Sequence, residues 1–155
     1  MDTPLLYSQF NATSLSEISL LWLLATAAGI MLFSLLEAWL ATLIVHGKVA
    51  FLKKIFPVPY NLIRSHVDYL IMTTLLCVTY FTCLHLAIEL PKWLIVTLCF
   101  GVIYNPFGFF IKAIKPNAGN AETPFGRVLV CLSFVPTTIG FGYAMVMVLG
   151  KLSSV

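Results

Sequence analysis

Four long apolar stretches constrain the fold of this chain more than any other feature of its sequence. They cover residues 18–45, 64–88, 93–111 and 128–149. Each is long enough to cross a hydrocarbon core of about 30 Å, which takes roughly 20 helical residues. None alternates apolar and polar residues as the strands of a membrane barrel do. The sequence therefore predicts an all-α, polytopic membrane protein, with a single membrane domain over residues 1–155 and a bundle of four transmembrane helices.

The composition agrees with this fold class and narrows the range of partners. Hydrophobic residues make up 60% of the chain and charged residues only 10%, which is far from the composition of a water-soluble domain. The net charge of +3 is spread over the connections between the apolar stretches, with no cluster typical of a nucleic-acid interface. We expect membrane lipid as a partner and no nucleic acid.

The basic residues predict how the helices are oriented. Seven of them flank the connection between the first two stretches and the connection between the last two: Lys48, Lys53, Lys54, Arg64, Lys112, Lys115 and Arg127. The opposite side has only Lys92 and Lys151. Because basic residues accumulate in cytoplasmic connections, we expect both basic connections in the cytoplasm and both termini outside, in a bacterial inner membrane.

The first basic connection combines apolar and basic residues and then two prolines. Residues 51–56 alternate in a way that suits a segment lying in the headgroup layer. Pro57 and Pro59 interrupt any helix there, so the second helix is expected to begin after Tyr60 or Asn61.

Several polar side chains fall near one end of the predicted bundle. Ionisable groups inside membrane spans are costly and are candidates for function by default. At about 1.5 Å per helical residue, a set of these groups lies within one or two turns of the predicted cytoplasmic face: Glu37, His66, Asp68, Tyr104, Asn105 and Arg127. The outer half offers only His85 and Glu89. The sequence therefore predicts a site at the cytoplasmic end.

The spacing within the second helix separates the roles of its ionisable residues. His66 and Asp68 point roughly 200° apart around a helix, so they cannot form a dyad within it. Asp68 is one turn after Arg64, which predicts a local ion pair, and that pair alone would explain both residues. Glu37 has a structural alternative as a carboxyl that is hydrogen-bonded inside the bundle or reaches towards the interface. His66 has one as an interfacial residue bonded to a carbonyl or a lipid headgroup.

No familiar catalytic motif accompanies these residues. The chain has no nucleophile elbow, no metalloprotease motif and no glycine-rich phosphate loop, and its four scattered cysteines lack the grouping of a zinc site. A neutral imidazole is, however, the commonest metal ligand, and an open-sided metal or haem site needs only one. We therefore expect a cofactor to supply the chemistry, with His66 as the metal ligand.

Several short segments between Pro59 and Gly150 resemble the styrene oxide isomerases. These are R-S-H at the start of the second helix, N-P-F-G-F-F at the end of the third, a loop with Pro, Asn and Gly, and T-P-F-G-x-V at the start of the fourth. The order and spacing of these segments match the family, which consists of small four-span membrane proteins.

This resemblance implies a haem b enzyme. His66 would be the axial ligand of the iron, whose sixth position stays open, and the subunits would form trimers with haem between them. The ferric iron would act as a Lewis acid on the oxygen of an apolar epoxide. The epoxide C–O bond would then open, and a hydride shift would give an aldehyde or ketone. An apolar substrate partitions into the bilayer, and a dry pocket shields a carbocation from water.

The chain departs from the family pattern at two substrate-contacting positions. Met72 stands where the family has an asparagine six residues after the ligand, and Phe110 stands where it has a tyrosine. We expect Tyr104 or Asn105 to orient the substrate oxygen instead, and Asp68 or Glu37 to steady the developing positive charge. From their charge and depth, the groups expected to hold the haem propionates are Arg64, Tyr60 and Arg127.

Two other readings stay open. A small electron-transfer cytochrome would use His46, the other histidine at this end, as a second axial ligand beside His66. A non-catalytic membrane subunit or small transporter would use the polar cluster as a packing or ion site.

Overall fold

The computed structural model of the chain describes residues 19–118 and 124–154. It contains five helices, which we label α1 (Leu21–Val45), α2 (Ala50–Ile55), α3 (Pro59–His85), α4 (Lys92–Ile114) and α5 (Pro124–Leu152). All but α2 are long and apolar enough to cross a membrane, and the described residues contain no strand. The predicted all-α fold with four transmembrane helices is confirmed.

The helix ends differ from the apolar stretches by several residues. Helix α3 begins at Pro59 rather than Arg64, because proline is well suited to the first turn of a helix, where its missing N–H is not needed. It ends at His85, two residues before Ala87, whose positive φ of 49° interrupts the helix. Residues 50–55 form the short helix α2, on which Phe51 is 70% exposed.

The four long helices pack in chain order. Helix α1 lies mainly against α3, α3 against α4, and α4 against α5, with smaller contacts between α1 and α4 and between α3 and α5. The α1/α3 pair and the α4/α5 pair are therefore at opposite sides of the bundle. Each pair has its own outer surface, so side chains on the outer surface of one pair do not face those of the other pair within one chain.

The interior consists of two apolar clusters with polar groups between them. The larger cluster includes Leu23 and Ile30 of α1 and Leu76 of α3. The smaller one includes Ala41 of α1 and Leu62 of α3. Between them along both helices lie three fully buried polar residues, Ser34, Glu37 and Ser65, which we call the polar layer.

The α4/α5 contact depends on a glycine that has no space for a side chain. A Cβ on Gly101 would lie 2.7 Å from the backbone nitrogen of Thr137 and 2.9 Å from its Cα. We expect Gly101→Ala to push α5 away from α4 and to lower the free energy of unfolding by about 1–3 kcal/mol. Thermal unfolding in detergent, followed by far-ultraviolet circular dichroism, measures the change.

Gly108 provides the matched control on the same helix. A Cβ at Gly108 meets nothing within 4 Å, so Gly108→Ala should gain up to about 1 kcal/mol from the better helix propensity of alanine. If both variants unfolded at the temperature of the unmodified protein, the close approach of α4 and α5 at Gly101 would be contradicted.

Candidate functional site

His66 of α3 is held by Ser34 of α1. Its Nδ1 lies 2.9 Å from the backbone oxygen of Ser34 and 2.7 Å from the Ser34 hydroxyl. That hydroxyl in turn donates to the backbone oxygen of His66 over 3.1 Å. Ser34 is fully buried and His66 is half-buried. Three contacts between two residues therefore fix the imidazole ring against α1.

These contacts select one tautomer of the imidazole. A carbonyl oxygen only accepts hydrogen bonds, so the nitrogen next to the Ser34 carbonyl, Nδ1, carries the hydrogen. The Ser34 hydroxyl accepts from the same N–H and passes its own hydrogen to the His66 carbonyl. The lone pair is left on Nε2, which bonds to no group in the part of the chain that the structure describes.

This arrangement is the one that metal-binding histidines usually have. A ligating imidazole typically donates its other N–H to a carbonyl or carboxylate, which fixes the ring and its tautomer. The carbonyl contact also belongs to the structural alternative for His66, an interfacial histidine bonded to the backbone. His66 differs from a purely structural histidine because its Nε2 lone pair remains available to a metal when Nδ1–H bonds to the Ser34 carbonyl.

A cleft lies beside His66 on the outer side of the α1/α3 pair. Its volume is about 270 Å³, and it is lined by Ala38, Ala41, Thr42, Val45, His46, Ile63 and His66. Apart from Thr42 and the two histidines, the lining is apolar. The presence of His46 in the same cleft keeps the paired-histidine reading open.

Glu37 lies in the polar layer, one turn after Ser34 on the buried face of α1. Its side chain is fully buried, and neither carboxyl oxygen has a hydrogen-bond partner. The Ser65 hydroxyl is nevertheless near enough to interact with this carboxyl, so the alternative that Glu37 is hydrogen-bonded inside the bundle stays open. Glu37 also lines neither the His66 cleft nor the Tyr104 pocket described below.

Arg64 and Asp68 attract each other across one turn of α3, but among the described residues they form no direct salt bridge. Among the described residues, the guanidinium of Arg64 lies over the ring of Phe109 at 4.4 Å and within 5.9 Å of the Tyr60 ring. An aromatic face attracts a cation and shields it from water, so the packing of α4 against α3 gives the Arg64 guanidinium a second partner besides Asp68. Asp68 is half-buried, and Tyr60 is 65% exposed.

Tyr104 and Asn105 line a separate pocket of about 320 Å³ between α4 and α5, which we call the Tyr104 pocket. Asn105 accepts a hydrogen bond of 2.7 Å from the Ser133 hydroxyl on its side-chain oxygen, so its amide N–H groups remain as donors. Tyr104 stacks on Phe100 with the rings 5.4 Å apart. His66 is not part of this lining. Within one chain, His66 and the Tyr104–Asn105 pair, which were predicted to form one site, therefore lie on different sides of the bundle.

The remaining predicted residues have mainly packing roles or lie at the surface. Met72 is half-buried against the larger apolar cluster. The Phe110 ring contacts Phe33 at 5.4 Å and Phe56 at 5.8 Å. Arg127 is exposed near the start of α5. The sequence did not identify Ser34, because nothing local links it to a histidine 32 positions away.

The site therefore offers a fixed imidazole with a free nitrogen next to an open cleft, and an aromatic pocket with an amide donor on the other side of the bundle. Within the described residues, there is no group of three or more His, Cys, Asp or Glu side chains that could hold a metal by itself. No protein-family model, curated protein or solved structure matches the chain.

Proposed function

We propose that the chain is a haem-dependent isomerase of the membrane, which opens an apolar epoxide and rearranges it to an aldehyde or ketone. The observation that carries this proposal is the geometry of His66, whose Nδ1–H is used by Ser34 and whose Nε2 is free beside a cleft. The resemblance to the styrene oxide isomerases gives the proposal its reaction.

His66 would hold the iron of haem b through its Nε2, with Ser34 fixing the ring from the other side. When bound, haem supplies a Lewis-acidic iron for the epoxide oxygen. The chain itself supplies the Nε2 lone pair, the Ser34 contacts that stop the ring from turning, and a cleft whose aliphatic lining suits an apolar ligand. Arg64 and Tyr60 are exposed on the first two turns of α3 and would reach the propionates from the cytoplasmic end.

The cleft is too small to enclose a porphyrin within one chain. Its 270 Å³ lies below the roughly 300–1,000 Å³ of pockets that enclose drug-sized ligands. A second copy of the chain would have to cover the other face of the haem. This requirement supports the trimer that the family resemblance implies, in which each contact joins two different surfaces of the subunit.

In such a ring, the α4/α5 side of one subunit would face the α1/α3 side of the next. The Tyr104 pocket would then meet the His66 cleft, and the free N–H of Asn105 would orient the substrate oxygen. Aromatic walls from Phe107 and Phe134 suit an apolar substrate that arrives through the bilayer. Asp68 and Glu37 line neither cavity, so they would steady positive charge only from a distance.

The proposal includes a location and an orientation. The four apolar helices make an integral membrane protein, and we propose a bacterial inner membrane with both termini outside. Lys53, Lys54 and Lys112 would then lie at the cytoplasmic face, as the distribution of basic residues favours.

The absorption spectrum of the detergent-purified protein, oxidised and reduced, tests the proposal. We expect a Soret band with a five-coordinate ferric iron, and conversion of an aryl or alkyl epoxide to a carbonyl product without net oxidation. The protein should be expressed with haem precursor supplied. If the purified protein is then helical by circular dichroism but carries no haem, the isomerase is excluded.

A second candidate is an electron-transfer cytochrome, because His46 lines the same cleft as His66. It predicts a six-coordinate, low-spin spectrum in both oxidation states. In that case His46→Ala would convert the spectrum to a five-coordinate one. For the isomerase, the same substitution would leave the spectrum unchanged.

A further inference from the structure

The polar layer contains a carboxyl group that makes no well-formed hydrogen bond to any residue the structure describes. Glu37 is fully buried and both of its oxygens lack a hydrogen-bond partner. Leaving a buried carboxyl without partners costs several kcal/mol when it is charged and less, though still appreciably, when it is neutral. A group of this kind inside a membrane bundle points to a missing ligand.

The two hydroxyl groups nearest to this carboxyl direct their well-formed hydrogen bonds elsewhere. The Ser65 hydroxyl is close enough to Glu37 for a hydrogen-bonding interaction, and the Tyr69 hydroxyl lies within Coulombic range of it. Ser65 donates its hydrogen to the backbone oxygen of Pro106, over 3.2 Å, and Tyr69 donates to that of Ile103, over 2.9 Å. With both hydrogens committed to α4, the two hydroxyl groups turn only lone pairs towards the space near Glu37.

Carboxyl and hydroxyl oxygens without available hydrogens are the donor set of a hard cation. We propose that Glu37, Ser65 and Tyr69 form a binding site for one monovalent metal cation of the sodium type. One positive charge matches the single carboxylate, since no other acidic residue of the described chain is in the polar layer. The three oxygen ligands suit a hard cation better than a transition metal, and no group of three His, Cys, Asp or Glu side chains that could hold a metal is found within residues 19–118 and 124–154.

The surroundings suit such an ion. Membrane transporters bind sodium ions between packed helices at interrupted segments, where hydroxyl groups and freed carbonyls coordinate the ion. Helix α4 is continuous at this level, but Pro106 lies inside it and has no N–H for the Val102 carbonyl. Tyr69 also lines a cleft of about 290 Å³ between α1 and α4, which provides a route from outside the bundle.

This site is separate from the His66 cleft and does not depend on the proposed haem. Ser34, which holds His66, uses its hydroxyl on the imidazole and the His66 backbone, whereas Glu37 lies one turn further along α1. A protein without haem would therefore still be expected to bind the cation.

The experiment measures the unfolding temperature of the purified full-length protein at constant ionic strength while sodium chloride replaces choline chloride. At a hundredfold excess of sodium over its dissociation constant, we expect a rise of about 5–10 °C. Glu37→Gln, which keeps the shape but removes the charge, should lose the rise. Glu89→Gln is the matched control, because Glu89 is exposed in the α3–α4 connection, and it should keep the rise.

Ser65→Ala gives a second readout if Glu37→Gln fails to fold. It removes one ligand and should raise the sodium dissociation constant about tenfold. The same unfolding temperature in sodium and choline chloride for the unmodified protein would overturn the proposal, as would a full sodium response in both Glu37→Gln and Ser65→Ala. An infrared band of a protonated carboxylic acid that persists at high sodium and disappears in Glu37→Gln would also overturn it, since a proton would then occupy the site.

Discussion

His66→Ala is expected to abolish the haem absorbance of the purified protein while leaving its helices intact. The imidazole is the only proposed protein ligand of the iron in one chain, so its loss removes the axial bond. The effect on folding should be modest, because the lost hydrogen bond to Ser34 contributes about 1 kcal/mol. The ratio of Soret to protein absorbance measures haem content, and circular dichroism measures helicity.

His85→Ala is the matched control for this variant. His85 lies on the same helix at its other end and is exposed, so its removal should change neither quantity. If His66→Ala kept the haem content of the unmodified protein, the iron would have its ligand elsewhere, and His66 would return to its structural role.

Added imidazole makes the test more specific. In His66→Ala the space next to the Ser34 carbonyl is empty and polar on one side, and a free imidazole can donate to that carbonyl as His66 does. We expect millimolar imidazole to restore the Soret band in His66→Ala. A variant that lost haem only because its bundle was distorted would not recover in this way.

The fold was predictable because the membrane imposes it. Lipid provides no hydrogen-bond partners for the backbone, so any sufficiently long apolar stretch becomes a helix, and counting such stretches gives the architecture. The helix ends were less predictable, because hydropathy detects only the part inside the hydrocarbon layer. Helix α3 begins at Pro59, within a segment that was expected to interrupt helices.

For the candidate site, the sequence could predict individual residues but not the contacts between them. His66 stands out because an ionisable group in a membrane helix is costly. Its partner Ser34 did not stand out, because their contact depends on how α1 and α3 are aligned, which no local pattern encodes. The contact of Arg64 with Phe109 did not stand out for a similar reason: the i, i+4 rule that pairs Arg64 with Asp68 describes an isolated helix, and Phe109 comes from α4.

Ser34→Ala separates the role of the ring's orientation from the role of the ligand itself. The substitution removes the hydroxyl that accepts from Nδ1–H and donates to the His66 backbone, but the Ser34 carbonyl remains. The imidazole is still present and can turn more freely. Loss of a partner that orients a metal ligand typically lowers metal affinity by about 10–100-fold, and with the carbonyl retained we expect about tenfold weaker haem binding.

Thr74→Val is the control for this substitution, since it removes a hydroxyl of α3 that bonds only to the backbone of its own helix, at Leu70. Titration of haem-depleted protein with haem, followed at the Soret band, gives the affinity of each variant. Equal affinities for Ser34→Ala and Thr74→Val would mean that the carbonyl alone orients the ring. Complete loss of binding in Ser34→Ala alone would mean that the hydroxyl sets the position of α1 against α3 as well as the tautomer of His66.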